Sequence, residues 1–489
     1  MAGVGVRMKG FYGKRSISSK VMGFVYSTAV SVAPMLLVIA SLMIMGRLLE
    51  FSKVGYARRE LFSCTVLYIF IFALLVSSPF NAVLSRYMSD IIYNETFEDI
   101  MPCFIVGLFM NTLLGCLIAI PFCVLEYLVG GVGFIYVFTG FCGFVSLLFV
   151  FYSMLYLNIF KDYRKISAFF FLGAVLTILL SLFLVKLCKR SVTYSMLLSL
   201  TVGFMLIGCL EFGTIKRYFT KNSGNYRGVF IYCRKYWKLI FTNFFYILGL
   251  FIHNFIFWGT DLQMRVAKVF ICAPAYDMAT CIAMFTNISA TIIFISRVEM
   301  FFHERYRAYS EAIIGGRGAD IENTKKRMFR QLSMELMSMT RGQFIISVVC
   351  FLLCIVILPQ FGIGGLIMKI YPGLAAGYFI LFTMYACIVF LYYFNDLNGS
   401  IITAVGFLAG VITASFAASH FDYIWYGMGV TVGSFVGWTI AYFRIRWIEQ
   451  HIDEHMFCTG LLLEKGKGEM PSAKVFDRYA ATENQEEEE

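Results

Sequence analysis

Five hydrogen-bonding side chains, Asn111, Asn243, His253, Asn254 and Asn287, lie deep within apolar stretches of this 489-residue sequence. Inside a bilayer such groups are costly, so they turn toward a bundle interior or a wet cavity. Thr112, Thr286 and Ser289 stand beside them in the same stretches. Together they suit a hydrogen-bonding lining for a polar, uncharged solute. His253 could in addition relay a proton. The plainer reading is interhelical bonding, at about 1 kcal/mol or less per contact.

Ionisable residues fall nearer the ends of the apolar stretches: Arg47, Arg86, Glu126, Lys186, Glu211, Asp277, Arg297, Glu299 and Asp396. Long side chains there are expected to snorkel toward the interface. Asp277 stands in the first turn of its helix, where the dipole favours an anion. Arg297 and Glu299 could pair with neighbouring helices at a mouth. Asp396 sits in a turn-like cluster with Asn395, Asn398 and Gly399. Pro34, in mid-stretch, removes a backbone hydrogen bond and would bend its helix.

Covalent and metal chemistry find no motif. H-E-x-x-H, Walker A and G-x-S-x-G patterns are missing, so no enzyme and no ATP-driven pump is expected. The 14 cysteines include no C-x-x-C pair and read as small buried hydrophobes. His451 and His455 flank Asp453 and Glu454 at a solvated helix end, a spacing that reads as chance. No cofactor is implied.

The elements that carry these residues are membrane spans. Hydrophobic residues make up 59% and charged residues only 15%, against about 25% charged in a soluble domain. A span needs roughly 20 apolar residues. Such stretches occur at 21–49, 61–83, 100–127, 133–158, 166–187, 192–214, 237–258, 275–298, 341–359, 373–394, 398–418 and 422–443. The expected fold is therefore all-α, with about twelve transmembrane helices. With both ends in the cytoplasm, 31 of the 41 Lys and Arg fall inside and 10 outside, as the positive-inside rule requires. Lys186, Lys189 and Arg190 go against that trend. The net charge of +11 is spread between spans and gives no patch for nucleic acid. The basic amino terminus leads into a first span too long for a signal peptide.

A polar, basic linker from Lys216 to Lys238 separates six spans from six. This predicts a first lobe at 1–220, a second at 221–445 and a cytoplasmic tail at 446–489 whose acidic end is disordered. No residue-level repeat accompanies the division. Gly406 and Gly410, with Gly429, Gly433 and Gly437, are spaced for close helix approach. Met328, Leu332, Leu336 and Met339 form an apolar stripe. It could lie on the membrane, receive a partner or simply lead into the ninth span.

Several segments resemble the PelG family of Pel exopolysaccharide transporters: Met1-Ala-Gly-Val-Gly-Val, Ala29-Val-Ser-Val-Ala-Pro34, Ala275-Tyr-Asp277-Met, Arg297-Val-Glu299-Met-Phe-Phe, His303-Glu-Arg-Tyr306-Arg-Ala-Tyr309, Ile313-Ile-Gly-Gly316 and Tyr392-Tyr-Phe-Asn-Asp396. The resemblance implies the multidrug/oligosaccharidyl-lipid/polysaccharide exporter superfamily, with two six-helix bundles facing each other in a V. It also implies a cytosolic glycosyltransferase and small membrane subunits as partners, and a galactosamine-rich biofilm polymer as substrate in the cytoplasmic membrane.

The sequence thus leads to a polysaccharide transporter in which Asn111, Asn243, His253, Asn254 and Asn287 line the path. Pro34, Arg86, Asp277, Arg297, Glu299 and Asp396 would set its mouths or hold the lobes. Its rivals are a lipid-linked oligosaccharide flippase, a small-molecule antiporter and a membrane anchor for the glycosyltransferase. The antiporter would need a carboxylate deep in a bundle, and none stands at mid-span.

Overall fold

Apolar stretches of 20 residues or more have one good solution in a lipid solvent, the α-helix, because it satisfies its own backbone. The computed structural model describes residues 17–159, 163–297, 302–361 and 364–464. The first six long helices are α1 (Ile17–Leu48), α2 (Tyr56–Tyr93), α3 (Ile100–Leu128), α4 (Phe134–Ile159), α5 (Tyr163–Leu182) and α6 (Val192–Tyr218). A short α7 (Tyr226–Lys235) leads to α8 (Trp237–Phe257). A hairpin of β1 (Met264–Val266) and β2 (Phe270–Cys272) joins α8 to α9 (Pro274–Arg297). Then come α10 (His303–Gly315), α11 (Gly318–Ile357), α12 (Leu366–Tyr393), α13 (Leu397–Ala418) and α14 (Met428–Glu464).

Each predicted span falls on one long helix, and α7 and α10 are the short extras. Among the described residues, nine helices are long and apolar enough to cross a membrane. The chain is a multi-pass membrane protein. Leu117, Phe171, Leu179, Leu352, Leu353 and Val356 are exposed on helix faces, as lipid contact requires.

Packing shows a repeat that the residues do not. Helix α2 packs on α3 and α4, α3 on α4, α4 on α6, α5 on α6, and α1 on α5. Six spans later, α9 packs on α11 and α12, α11 on α12, α12 on α14, α13 on α14, and α8 on α13. Two further contacts, α2 with α8 and α1 with α9, join the sets, and the same six-span shift exchanges them. One apolar cluster belongs mainly to α1–α6 and another mainly to α8, α9, α12 and α13.

The close approaches repeat as well. A Cβ on Gly410 would meet the Gly433 Cα at 2.9 Å, and one on Gly203 would meet the Gly173 carbonyl at 3.1 Å. So α13–α14 and α5–α6 both touch through glycine, as small-residue spacing allows.

One open reading is narrowed and one boundary moves. The stripe of Met328, Leu332 and Met339 packs against Phe302, Tyr309, Phe390, Phe394, Ile445 and Ile448. Helix α11 is one continuous 40-residue element, so the stripe is the lead-in to the ninth span. The carboxy-terminal helix breaks at His451 (φ −119°, ψ 23°), and helical structure resumes as far as Glu464, past the expected end of the last span. It continues because its extension has partners. Asp453 accepts from Lys325 Nζ at 2.6 Å and from Tyr309 Oη at 3.3 Å, and His455 Nε2 lies 3.0 Å from the Phe394 carbonyl.

Candidate functional site

The polar residues of α8 and α9 meet at one place. Asn254 Nδ2 donates to Asp277 Oδ1 at 2.7 Å. Trp258 Nε1 reaches both Asp277 oxygens, at 3.0 and 3.1 Å, and the Ala273 N–H donates to Oδ2 at 3.0 Å. Asp277 therefore draws the end of α8 and the first turn of α9 together, and its own helix start supplies one donor. Asn254 Oδ1 is buried and has no hydrogen-bond partner.

His253 lies on the other side of the same turn of α8 and is fully buried. Its Nδ1 is 2.7 Å from Tyr276 Oη and its Nε2 is 3.3 Å from Tyr378 Oη. Tyr276 and Tyr378 come from α9 and α12, so the imidazole braces three helices. This arrangement is a packed strut with both nitrogens engaged. Tyr276, Tyr378 and Trp258 went unnoticed in the sequence. A phenol or indole in an apolar stretch needs a partner, and that need was the available signal.

Across the contact between the two sets of helices, Asn243 Nδ2 donates to the Ser78 carbonyl on α2. Ser78 precedes Pro79, whose ring removes the N–H that would have bonded the Leu75 carbonyl. The Ser78 hydroxyl fills that gap at 2.9 Å. Nearer the hairpin end of this seam, Tyr68 of α2 stacks on Trp258 with centroids 5.3 Å apart. Phe72 lies on Phe255 at 6.0 Å. The seam between α2 and α8 is thus aromatic along one part and hydrogen-bonded along another.

The remaining expected residues scatter. Asn111 is buried in α3 and donates to its own helix at Gly107, 2.8 Å away. Pro34 is buried within α1. Arg86 lies over the Tyr236 ring at 4.3 Å, tying α2 to the start of α8. Its charge also reaches Tyr306 on α10, where burial pushes the phenol up and Arg86 opposes that shift. Asp396 caps α13 through the Gly399 N–H and takes a two-point bond from Arg444 of α14, at 2.5 and 3.1 Å. It fastens two helices of the second set to each other. Asn287 and Arg297 stand on α9, but their side chains, and all of Glu299, lie outside the described residues.

Glu126 and Glu211 depart from the snorkelling expectation. Both are buried, at 4% and 0% exposure. Both oxygens of Glu211 and one of Glu126 are buried without a hydrogen-bond partner. Each sits near the end of its helix by count, yet packing covers it. Glu126 borders a small apolar cavity with Thr65, Tyr68, Phe122, Phe144 and Phe270. No group of three or more metal-binding side chains occurs among the described residues.

Loops meet in alternation at the two ends. Tyr56–Leu61, Gly130–Gly133, Ser191–Tyr194 and Met264–Ala267 line one cleft of about 760 Å³. They lie in the connections after the first, third, fifth and seventh spans or in the helix starts that follow them. At the other end, Lys221 pairs with Glu98 at 3.2 Å and the Ser223 N–H donates to the Glu98 carbonyl, joining the connections after the second and sixth spans.

The bundle repeats its packing across a two-helix seam with buried polar groups, an arrangement that membrane transporters share. Solved structures agree. An outward-facing multidrug resistance MATE family transporter of the MOP superfamily matches with TM-score 0.62 at 14% identity, covering 87% of this chain and 96% of that one. A MOP superfamily transporter from Pyrococcus furiosus Vc1 (DSM3638) gives 0.61 at 15% identity, with the same coverage. A mutant of the Vibrio cholerae MATE transporter VcmN gives 0.60 at 11%, over 88% and 96%. No curated protein matches the chain.

Residues 1–457 match the family model described as "PelG: Putative exopolysaccharide Exporter (EPS-E)". The chain belongs to the PelG family. Its fold is that of the MATE and MOP transporters, in keeping with the superfamily the sequence resemblance implied.

Proposed function

We propose that the protein exports a Pel-like, amino-sugar exopolysaccharide across the cytoplasmic membrane, with both chain ends in the cytoplasm. The growing chain passes between two lobes made of the first and last six spans. A cytosolic glycosyltransferase delivers it, and small membrane subunits complete the complex. The protein moves the polymer without covalent chemistry of its own.

The family match over residues 1–457 carries this reading. The polar groups near the seam support it. A largely neutral sugar chain needs hydrogen-bonding walls rather than a charged filter, and Asn254 keeps an unused acceptor. Asn243, Asn254 and Asn287 are the residues proposed to touch substrate, with Asn111 and His253 supporting the helices that carry them. Arg86 ties the first lobe to the start of α8, Asp277 fixes the α8–α9 corner at the opposite end of the seam, and bending at Pro34 widens it.

Replacing Asn254 and Asn287 with leucine tests the proposal. Secreted polymer measured at equal protein level should fall at least tenfold. Unchanged secretion would remove both residues from the path. A short sugar-lipid accumulating in place of polymer would favour a flippase.

A further inference from the structure

Two of the cysteines that read as small hydrophobes in the sequence face each other. Cys64 Sγ, on α2, is 3.1 Å from Cys272 Sγ, at the end of β2. Both residues are 2% exposed. They are 208 positions apart in sequence, one on the first set of helices and one on the hairpin that begins the α8–α9 connection.

The hairpin is fitted to α2 around this pair. Tyr68 Oη donates to the Ile271 carbonyl at 2.8 Å and accepts from the Ile271 N–H at 3.1 Å. Tyr56 Oη reaches Met264 Sδ at 3.3 Å. Val266, Phe270 and Leu61 close over the sulfurs. The strand register sets Cys272 opposite Met264, so one face of the hairpin carries Met264, Val266, Phe270 and Cys272 toward α2. As thiols the two groups are weak donors and weak acceptors, a poor return for so much fitted structure. A bond between them needs the sulfurs to close by about 1 Å, to roughly 2.05 Å.

We propose that Cys64 and Cys272 form a disulfide that clasps the hairpin to α2. The site rests on the orientation given under the proposed function, which turns the hairpin end to the outside, where disulfides persist. The oxidant is a dithiol/disulfide carrier acting on that side. One cysteine thiolate attacks the carrier's disulfide and forms a mixed disulfide. The second thiolate displaces the carrier, which leaves with both of its sulfurs reduced, having taken up the two electrons. The reaction precedes docking of the hairpin, since the closed sulfurs are buried. Once formed, the clasp holds α2 to the α8–α9 connection at the outer end, so the two sets of helices cannot part there.

The test uses the full-length protein in its own membranes. Cells are quenched in N-ethylmaleimide, and the protein is denatured and cut without reduction. Mass spectrometry should find a linked peptide pair containing Cys64 and Cys272 that disappears with dithiothreitol, and the variant C64S should leave Cys272 alkylated. In parallel, the exposed Cys188, in the connection after the fifth span, is probed on intact spheroplasts with an impermeant maleimide. Cys188 labelled while Cys64 and Cys272 are both found alkylated would overturn the disulfide and leave the orientation standing. A linked peptide with Cys188 unlabelled would keep the disulfide and overturn the orientation. Both failing would overturn both.

Discussion

The two sets of six spans share one packing scheme but treat buried carboxylates in opposite ways. In the second set, buried Asp396 takes bonds from Arg444 and Gly399, and half-buried Asp277 takes them from Asn254, Trp258 and Ala273. Glu335 accepts from Gln331 at 2.6 Å. In the first set, Glu211 and one oxygen of Glu126 have no hydrogen-bond partner. Removing a saturated carboxylate is costly, because its buried donors are left unpaired. An unsatisfied one carries its desolvation penalty already, so altering it removes nothing. The buried carboxylates of the second set are therefore tied to donors, and those of the first keep unpaired oxygens beneath its surface. Repeated architecture does not impose repeated chemistry.

Substitutions can break or sharpen this contrast. The largest effect is expected for Asp396→Ala, which leaves the Arg444 guanidinium and the Gly399 N–H without their acceptor. It should cost about 3 kcal/mol, seen as a lowered unfolding temperature in detergent. Asp277→Ala should cost about 2 kcal/mol, because the donors of Asn254, Trp258 and Ala273 lose their shared acceptor. Quenching of Trp258 fluorescence by added acrylamide should rise with it. The smallest effect, opposite in sign, is expected for Glu211→Met, which should stabilise by about 1 kcal/mol by replacing an unpaired buried carboxyl with apolar atoms of similar size. If Glu211→Met destabilised as much as Asp396→Ala, the two sets would not differ in the way described.

The spans were legible because length and hydropathy alone demand them, and Asp396 was legible as a turn because Asn395, Asn398 and Gly399 surround it. Asn395 does adopt a left-handed backbone, at φ 56°. Its partner Arg444 was not legible, since only the packing of α13 on α14 brings it near. The pairing of Asn254 with Asp277 was hidden for the same reason: they stand 23 positions apart with a hairpin between them. The hairpin itself gave no sign, because its left-handed turn residues are Ala267 and Lys268 rather than Gly or Asn. Glu126 and Glu211 were misjudged because position along a helix predicts distance from its end, whereas burial depends on which face meets a neighbour.

The central claim is that a sugar polymer crosses the membrane between the two sets of spans. Its most direct test places the purified protein, alone and with the proposed glycosyltransferase partner, in sealed vesicles and measures amino-sugar polymer reaching the far side. The expected result is protein-dependent passage of polymer that the Asn254→Leu, Asn287→Leu variant loses at equal protein level. Vesicles that bind the transferase but pass no polymer would contradict the claim and leave an anchor in its place.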